Sequence, residues 1–287
     1  MYILRKRKTK FFEIKTKYYN YKCKNQKIMK TIKISLIAMA VLFTASFSAF
    51  AQMTGREIVK KAYNLPSGDD QTSTLTMTLI NKSGQTRIRK IKQFSKDFGD
   101  VEKSIMFFVT PADVKNTSFM NWSYDDDNKA DDQWIYLPAL KKVKRISSDS
   151  KSDYFMGSDF TYDDLGDRKL DADVHKLLRE ETIDGHACYV VESVSKDEDY
   201  MYSKTITWIR KDNFVGLKKE FYDEDGELLK VLSIKKVEKI EGFWVITHSE
   251  MKNVQNNHKT IIKLADISIN TGVPASKFSE RMMMRGI

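Results

Sequence analysis

Along residues 72–79 polar and apolar side chains alternate strictly. Thr72, Thr74, Thr76 and Thr78 take one face, and Ser73, Leu75, Met77 and Leu79 take the other. That is the period of a strand wetted on one side and buried on the other. Asn81-Lys82-Ser83-Gly84 turns the chain into a basic strand near 85–94, and 102–110 follows, closed by Pro111. Further strands are predicted at 117–124, 133–137, 143–147, 172–182, 187–195, 203–211, 215–223, 227–239, 243–251 and 258–270. Turn pairs such as Asp184-Gly185, Asp225-Gly226 and Glu241-Gly242 separate the later ones. Only residues 54–64 carry a clear helical period: Thr54 and Glu57 form a capping-box pair, and Ile58, Val59, Ala62 and Tyr63 share a face. The fold class is therefore mainly β, with ten or eleven antiparallel strands in one large curved sheet and no βαβ alternation.

An apolar sheet face must be covered. Curling into a half-barrel is one solution, with the N-terminal helix, the 148–166 loop and the C-terminal segment as material for the concave side. So small a lid leaves room for an apolar cavity suited to a lipid or acyl chain. A fully packed sandwich satisfies the same pattern equally well.

Residues 133–165 are the densest in bulky groups. They run through Gln133-Trp134-Ile135-Tyr136-Leu137-Pro138, the basic Lys141-Lys142-Val143-Lys144-Arg145, and the aromatic Tyr154-Phe155-Met156-Gly157-Ser158-Asp159-Phe160-Thr161-Tyr162. Trp134 and Tyr136 share one strand face and Ile135 and Leu137 the other, so this strand is covered on both sides, with the 148–166 loop as the nearest cover. Trp122, Trp134, Tyr136, Leu137, Arg145, Phe155, Phe160 and Tyr162 are the candidate ligand-binding residues. The aromatics would line the cavity and the basic strand would form its rim toward an acidic head group. As ordinary core and a solvated edge strand, the same residues need no ligand.

The net charge of +10 has a local origin. Residues 1–51 hold twelve Lys or Arg and one acid, Glu13, whereas 52–287 hold 37 basic and 38 acidic residues. A nucleic-acid partner is thereby excluded for the near-neutral remainder. Met29-Lys30-Thr31-Ile32-Lys33, the apolar run to Phe43, and Ala49-Phe50-Ala51 have the three parts of a secretory signal. Cleavage is expected after Ala51, and residues 1–28 read as an extension ahead of the true start. Gln52 stands where a lipidated chain would have Cys, so no lipid anchor is expected. Residues 52–287 form the single expected domain, in which Cys188 is the one cysteine and has no disulfide partner.

Chemistry is sparse. His175, His186, His248 and His258 lie on separate strands without ligand spacing, so neither a metal nor a cofactor is expected. The acidic run 125–132 lacks the spacing of a calcium loop. Gly157-Ser158-Asp159 is not a nucleophile elbow. No enzyme is expected.

The run Asp132 to Ile146, followed by Gly157 to Leu165, resembles the signature of the exported outer membrane lipoprotein-sorting proteins, which are LolA-like. The resemblance implies an open half-barrel with helices and a loop over its concave face. It also implies a periplasmic, non-catalytic carrier of lipid or lipoprotein acyl chains, with Arg145 as candidate for the functional arginine of such carriers. An inner-membrane transporter and an outer-membrane acceptor would be its partners, with peripheral membrane contact at most. The alternative it leaves open is an accessory protein that docks an RND-type transporter without a lipid cavity.

Overall fold

The structure, a computed structural model, describes residues 52–287 together with Lys17, Tyr21, Lys22, Lys24 and Met29. Apart from those five helical residues, the expected extension and export signal lie outside the described residues. Met53–Ile287 forms one compact unit. It opens on helix α1 (Gly55–Tyr63), whose capping box forms as expected: Glu57 N–H donates to Thr54 Oγ1 at 3.2 Å, and Thr54 N–H to Glu57 Oε2 at 2.8 Å. The apolar stripe of α1 then buries Ile58 against Val191 and Ile209.

All thirteen strands join one antiparallel sheet. They are β1 (Asp70–Ile80), β2 (Thr86–Asp97), β3 (Val101–Thr110), β4 (Ser118–Tyr124), β5 (Asp132–Leu137), β6 (Lys142–Arg145), β7 (Asp173–Ile183), β8 (His186–Ser195), β9 (Lys204–Arg210), β10 (Gly216–Tyr222), β11 (Leu228–Ile240), β12 (Phe243–Asn253) and β13 (His258–Ile269). The thirteen strands correspond one for one to the segments predicted from the alternation, two or three more than the overall figure of ten or eleven, and even the short β6 is paired: Trp134 to Leu137 with Arg145 to Lys142.

The strand order is β6-β5-β4-β3-β2-β1-β13-β12-β11-β10-β9-β8-β7. Two meanders, β1–β6 and β7–β13, meet where β1 pairs with β13, in the register Leu75↔Leu264 and Met77↔Ile262. β6 and β7 are consecutive in sequence yet form the two opposite edges. Flat, the sheet would span twelve steps of about 4.8 Å, or roughly 58 Å. Residues 146–172 must cross that width, and they do so as a strap over one face.

Period-two alternation decides what the strap meets. Leu75, Met77 and Leu79 of β1 point inward toward it, joined by Ile91, Met106, Phe108 and Phe119. The opposite parity of β3 and β4 places Ile105, Phe107 and Met120 on the outer face. There they are covered by Val273, Phe278 and helix α2 (Glu280–Arg285), with Met283 fully buried. The C-terminal segment, expected on the concave side with the lid, thus covers the other side. Ile105 and Phe107 of β3 require a cover of their own, and Val273, Phe278 and Met283 complete it together with Trp122 and Trp134.

Asp70 fixes that cover. Its carboxylate, 4% exposed, accepts backbone N–H groups from Thr271 at 2.9 Å, Gly272 at 2.9 Å and Val273 at 3.1 Å. Burial alone would raise this carboxyl, but the backbone donors outweigh it and hold the pKa below the ordinary carboxylate value. Asp70→Ala is expected to lower stability at pH 7 by about 2–4 kcal/mol, since charged acceptors of buried donors are lost, and to expose 273–285 to proteolysis. A folded pKa below the unfolded one gives stability that is present above the unfolded value of about 3.9 and fades as pH falls. Urea unfolding of both proteins at pH 7 and pH 3 should show the gap shrinking; an undiminished gap at pH 3 would contradict this assignment.

Candidate functional site

Within the strap, residues 153–162 close on themselves. Phe155 N–H donates to Phe160 O at 2.7 Å, Tyr162 N–H to Asp153 O at 3.1 Å, and Tyr154 pairs with Thr161 as an isolated bridge. Met156 and Gly157 turn this miniature hairpin at φ +50° and +73°. Gly157 serves because such φ values strain a residue with a Cβ. The hairpin presents two aromatic anchors to the sheet. Phe155 is fully buried, its ring centroid 5.1 Å from that of Phe119 and 6.0 Å from that of Phe108. Phe160 packs with Tyr202, Phe221 and Met251 on the other meander.

The strap is joined to strand backbone only at its ends, where Ile146 N–H donates to Gln133 O at 2.8 Å and Ala172 O accepts from Lys196 N–H at 3.0 Å; between them polar side chains tie it to the sheet. Arg89 donates to Met156 O, and Gln133 Nε2 to Tyr162 O at 2.8 Å. Asp159 accepts from Thr260 Oγ1 at 2.7 Å and from His258 Nδ1 at 2.8 Å, while its own N–H donates to Thr260 Oγ1 at 2.9 Å. Lys230, fully buried on β11, donates to Asp159 O at 3.1 Å and to the Asp164 carboxylate. Burial pushes the Lys230 pKa below that of an ordinary lysine, and Asp164 opposes that shift. Tyr202 and Thr161 also donate to Asp164, so both charges of the pair are hydrogen-bonded as a buried pair requires.

Beside this network lies a cleft of about 370 Å³ lined by Lys82, Ser83, Tyr154, Gly157, Asn256 and His258, among others. A second polar cleft, about 150 Å³, lies where the strap leaves for β7, lined by Asp131, Gln133, Lys151, Asp163, Asp167 and Lys169. Neither is an apolar cavity. The apolar volume under the strap is filled by Phe155, Met156, Phe160, Tyr162 and Leu165 of the strap itself.

The structure divides the residues nominated from sequence. Phe155, Phe160 and Tyr162 are brought together on the inner face, with Tyr162 5.6 Å from Phe155. Trp122, Trp134 and Tyr136 lie on the outer face with the C-terminal segment, the two indoles 5.2 Å apart. Leu137 shares the inward parity of Ile135 but is only half-buried and sits at the edge pairing with Lys142. Arg145 is 68% exposed and bound to Asp132, on an edge strand rather than at a cavity rim. One pocket does not contain all eight, because adjacent residues of β5 point to opposite faces. The sequence reading passed over Asp159, Asp164, Lys230, His258 and Thr260. A signal for one was present: Lys230 interrupts the apolar run Leu228-Leu229-Lys230-Val231-Leu232, which calls for a buried acidic partner.

This architecture, a single antiparallel sheet with a strap over one face, is shared with solved proteins. A LolA superfamily protein from Nitrosomonas europaea superposes with a TM-score of 0.62 at 21% identity, over 80% of this chain and 100% of that one. Two solved proteins are nearer in sequence. A domain described as an outer membrane lipoprotein-sorting protein, from Vibrio parahaemolyticus, is 34% identical over 80% of this chain and 98% of that one, with a TM-score of 0.75. A DUF1329 family protein from Desulfovibrio piger is 31% identical over 80% and 97%, with a TM-score of 0.76. A family model described as "-like: Uncharacterized protein" matches residues 100–285. The chain belongs to the family of these outer membrane lipoprotein-sorting and DUF1329 proteins, and shares its fold with the LolA superfamily protein. No curated protein matches it. Among the described residues, no helix is long and apolar enough to cross a membrane.

Lys230→Met leaves Asp164 buried without its cation and is expected to destabilise the protein by about 3–5 kcal/mol. Combining it with Asp164→Asn should recover part of that loss, because the amide is neutral and still accepts from Thr161. Urea unfolding measures both variants. Equal losses in single and double variants would show that the ion pair does not tie down the strap.

Proposed function

We propose that this chain is a periplasmic, non-catalytic carrier that holds the acyl chains of a lipid or lipoprotein against the inner face of its sheet, in exchange for the strap. It would take cargo from an inner-membrane transporter and pass it to an acceptor at the outer membrane. The observation that supports this reading most is the separability of the strap. Between residues 147 and 171 its apolar side chains cover the inner face without a backbone–backbone hydrogen bond to a strand, so lifting that stretch leaves every strand pair intact. Phe155, Phe160 and Tyr162 would be the groups displaced, and Leu75, Met77, Ile91, Phe108 and Phe119 would form the floor.

The energetics suit a carrier. Each buried CH₂ contributes about 0.8 kcal/mol, but cargo and strap compete for the same surface, so net affinity is a difference between two similar burials. A small difference permits release when a partner competes. The family relation, and the sorting role named for the Vibrio parahaemolyticus domain, support the same reading.

Native mass spectrometry of protein isolated from a bacterial periplasm is expected to show bound lipid, and a fluorescent fatty-acyl probe should bind in competition with it. Phe160→Ala, which weakens the strap but not the floor, should raise probe affinity by about threefold or more for the methylenes of burial removed from the competitor. No lipid in repeated isolations together with no probe uptake would remove the carrier reading. Co-purification with a transporter would then favour the accessory role.

A further inference from the structure

We propose that the cleft between the β1–β2 turn, the strap hairpin and the β12–β13 turn is a binding site for a phosphate-type oxyanion. The argument rests on which polar groups there are already used. Asp159 supplies a carboxylate beside the cleft, but it is 3% exposed as a residue and its oxygens accept from His258 and Thr260. Asn81 and Asn253 are spent on their own turns: Asn81 Oδ1 accepts the N–H groups of Ser83 and Gln85, and Asn253 Oδ1 accepts those of Gln255 and Asn256.

What remains among the described residues is a set of donors. Lys82 carries its ammonium on the exposed β1–β2 turn. Tyr154 Oη accepts from Asn253 Nδ2 at 3.0 Å, which leaves its own O–H to give. Ser83 and Asn256 add a hydroxyl and an amide. His258 lines the same cleft: with Nδ1–H held by Asp159 the ring orientation is fixed, so its ring signals report on what binds there. Behind it the Lys230–Asp164 pair is neutral overall. The Asp159 oxygens are turned to His258 and Thr260, and Lys82 is the cation that lines the cleft. Several unspent donors, one of them a lysine ammonium, around about 370 Å³ match the size and the acceptor chemistry of a phosphate group.

Four of the lining residues, Tyr154, Gly157, Ser158 and Asp159, belong to the strap hairpin, so an anion bound here would hold the strap at its turn. A free phosphate and the phosphate of a lipid head group present the same chemistry. The site stands on its own donors and does not require the carrier reading, although a head group seated here would place its acyl chains beside the Phe155–Phe160 layer.

The test uses the full mature chain with its imidazoles labelled for nuclear magnetic resonance. Inorganic phosphate, a short-chain phosphatidic acid and the matching uncharged diacylglycerol are titrated separately. His175, His186 and His248 serve as internal controls. The expected result is that the His258 ring signals move with phosphate or with the phosphatidic acid and not with the diacylglycerol, and that Lys82→Ala weakens that binding about tenfold, as loss of a charge-assisted hydrogen bond does. Lys82 lies on an exposed turn, so this variant folds; His258→Gln, whose amide can still donate to Asp159, is the second. Movement with inorganic phosphate assigns a free-anion site, and movement with the phosphatidic acid alone assigns a head-group site. His258 signals unmoved by either anion, or binding indifferent to Lys82→Ala, would overturn the proposal. Acyl-probe uptake with unmoved His258 signals would overturn it while leaving the carrier reading intact, and phosphate binding without acyl uptake would do the reverse.

Discussion

The rest of the structure depends on a constraint of connectivity. β6 and β7 follow each other in the chain but end up at opposite edges of a thirteen-stranded sheet, because β1 and β13 pair in its middle. The segment between them therefore has to cross a face, and a backbone crossing an apolar face cannot stay irregular without partners for its polar groups. The strap meets this demand in two ways. It folds into a miniature hairpin that satisfies part of its backbone internally, and it sends carboxylates and carbonyls to side chains on the sheet, namely Asp159 to His258 and Thr260, Asp164 to Lys230, and Met156 O to Arg89. Because these are side-chain contacts, they can be broken without unpairing a strand.

The two faces differ in kind for the same reason. The outer cover, 273–285, continues directly from β13 and is tied to β1 through backbone donors on Asp70, with Ser118 Oγ donating to Met283 O at 3.0 Å beneath it. It is a short extension of the sheet's own end. The inner cover is tethered at both sheet edges and held between them by Phe155, Phe160 and a few polar contacts. One cover is thus held through backbone donors to β1, and the other, between its ends, through side chains.

Much of the fold was legible in the residues. Alternation in 72–79 announces a one-sided strand, the Thr54–Glu57 pair announces a capped helix, and the Asp-Gly and Glu-Gly turns announce a meander. Trp134, Ile135, Tyr136 and Leu137 announce a strand covered twice. The candidate site was legible only in part. Phe155 and Phe160 stood out by bulk, but Trp122 and Trp134 stood out equally and belong to the other face, since bulk does not report which side of a pleat a residue takes relative to a distant segment. Asp159 and His258 are 99 positions apart, and Asp164 and Lys230 are 66 apart. Each is an ordinary polar residue until the sheet closes, and only Lys230, set in an apolar run, hinted at a partner.

The sequence by itself determined the class of element at nearly every position, the absence of βαβ order and the location of the excess positive charge in residues 1–51, because period, turn chemistry and charge are local properties. It also determined that the middle of the chain has apolar groups for two faces. Tertiary structure alone decided which face each group would meet, that the C-terminal segment and the strap would lie on opposite sides, and that Lys82, Tyr154 and His258 would share a cleft. Those outcomes follow from β1 pairing with β13 over nearly two hundred residues, a long-range contact that no local pattern encodes.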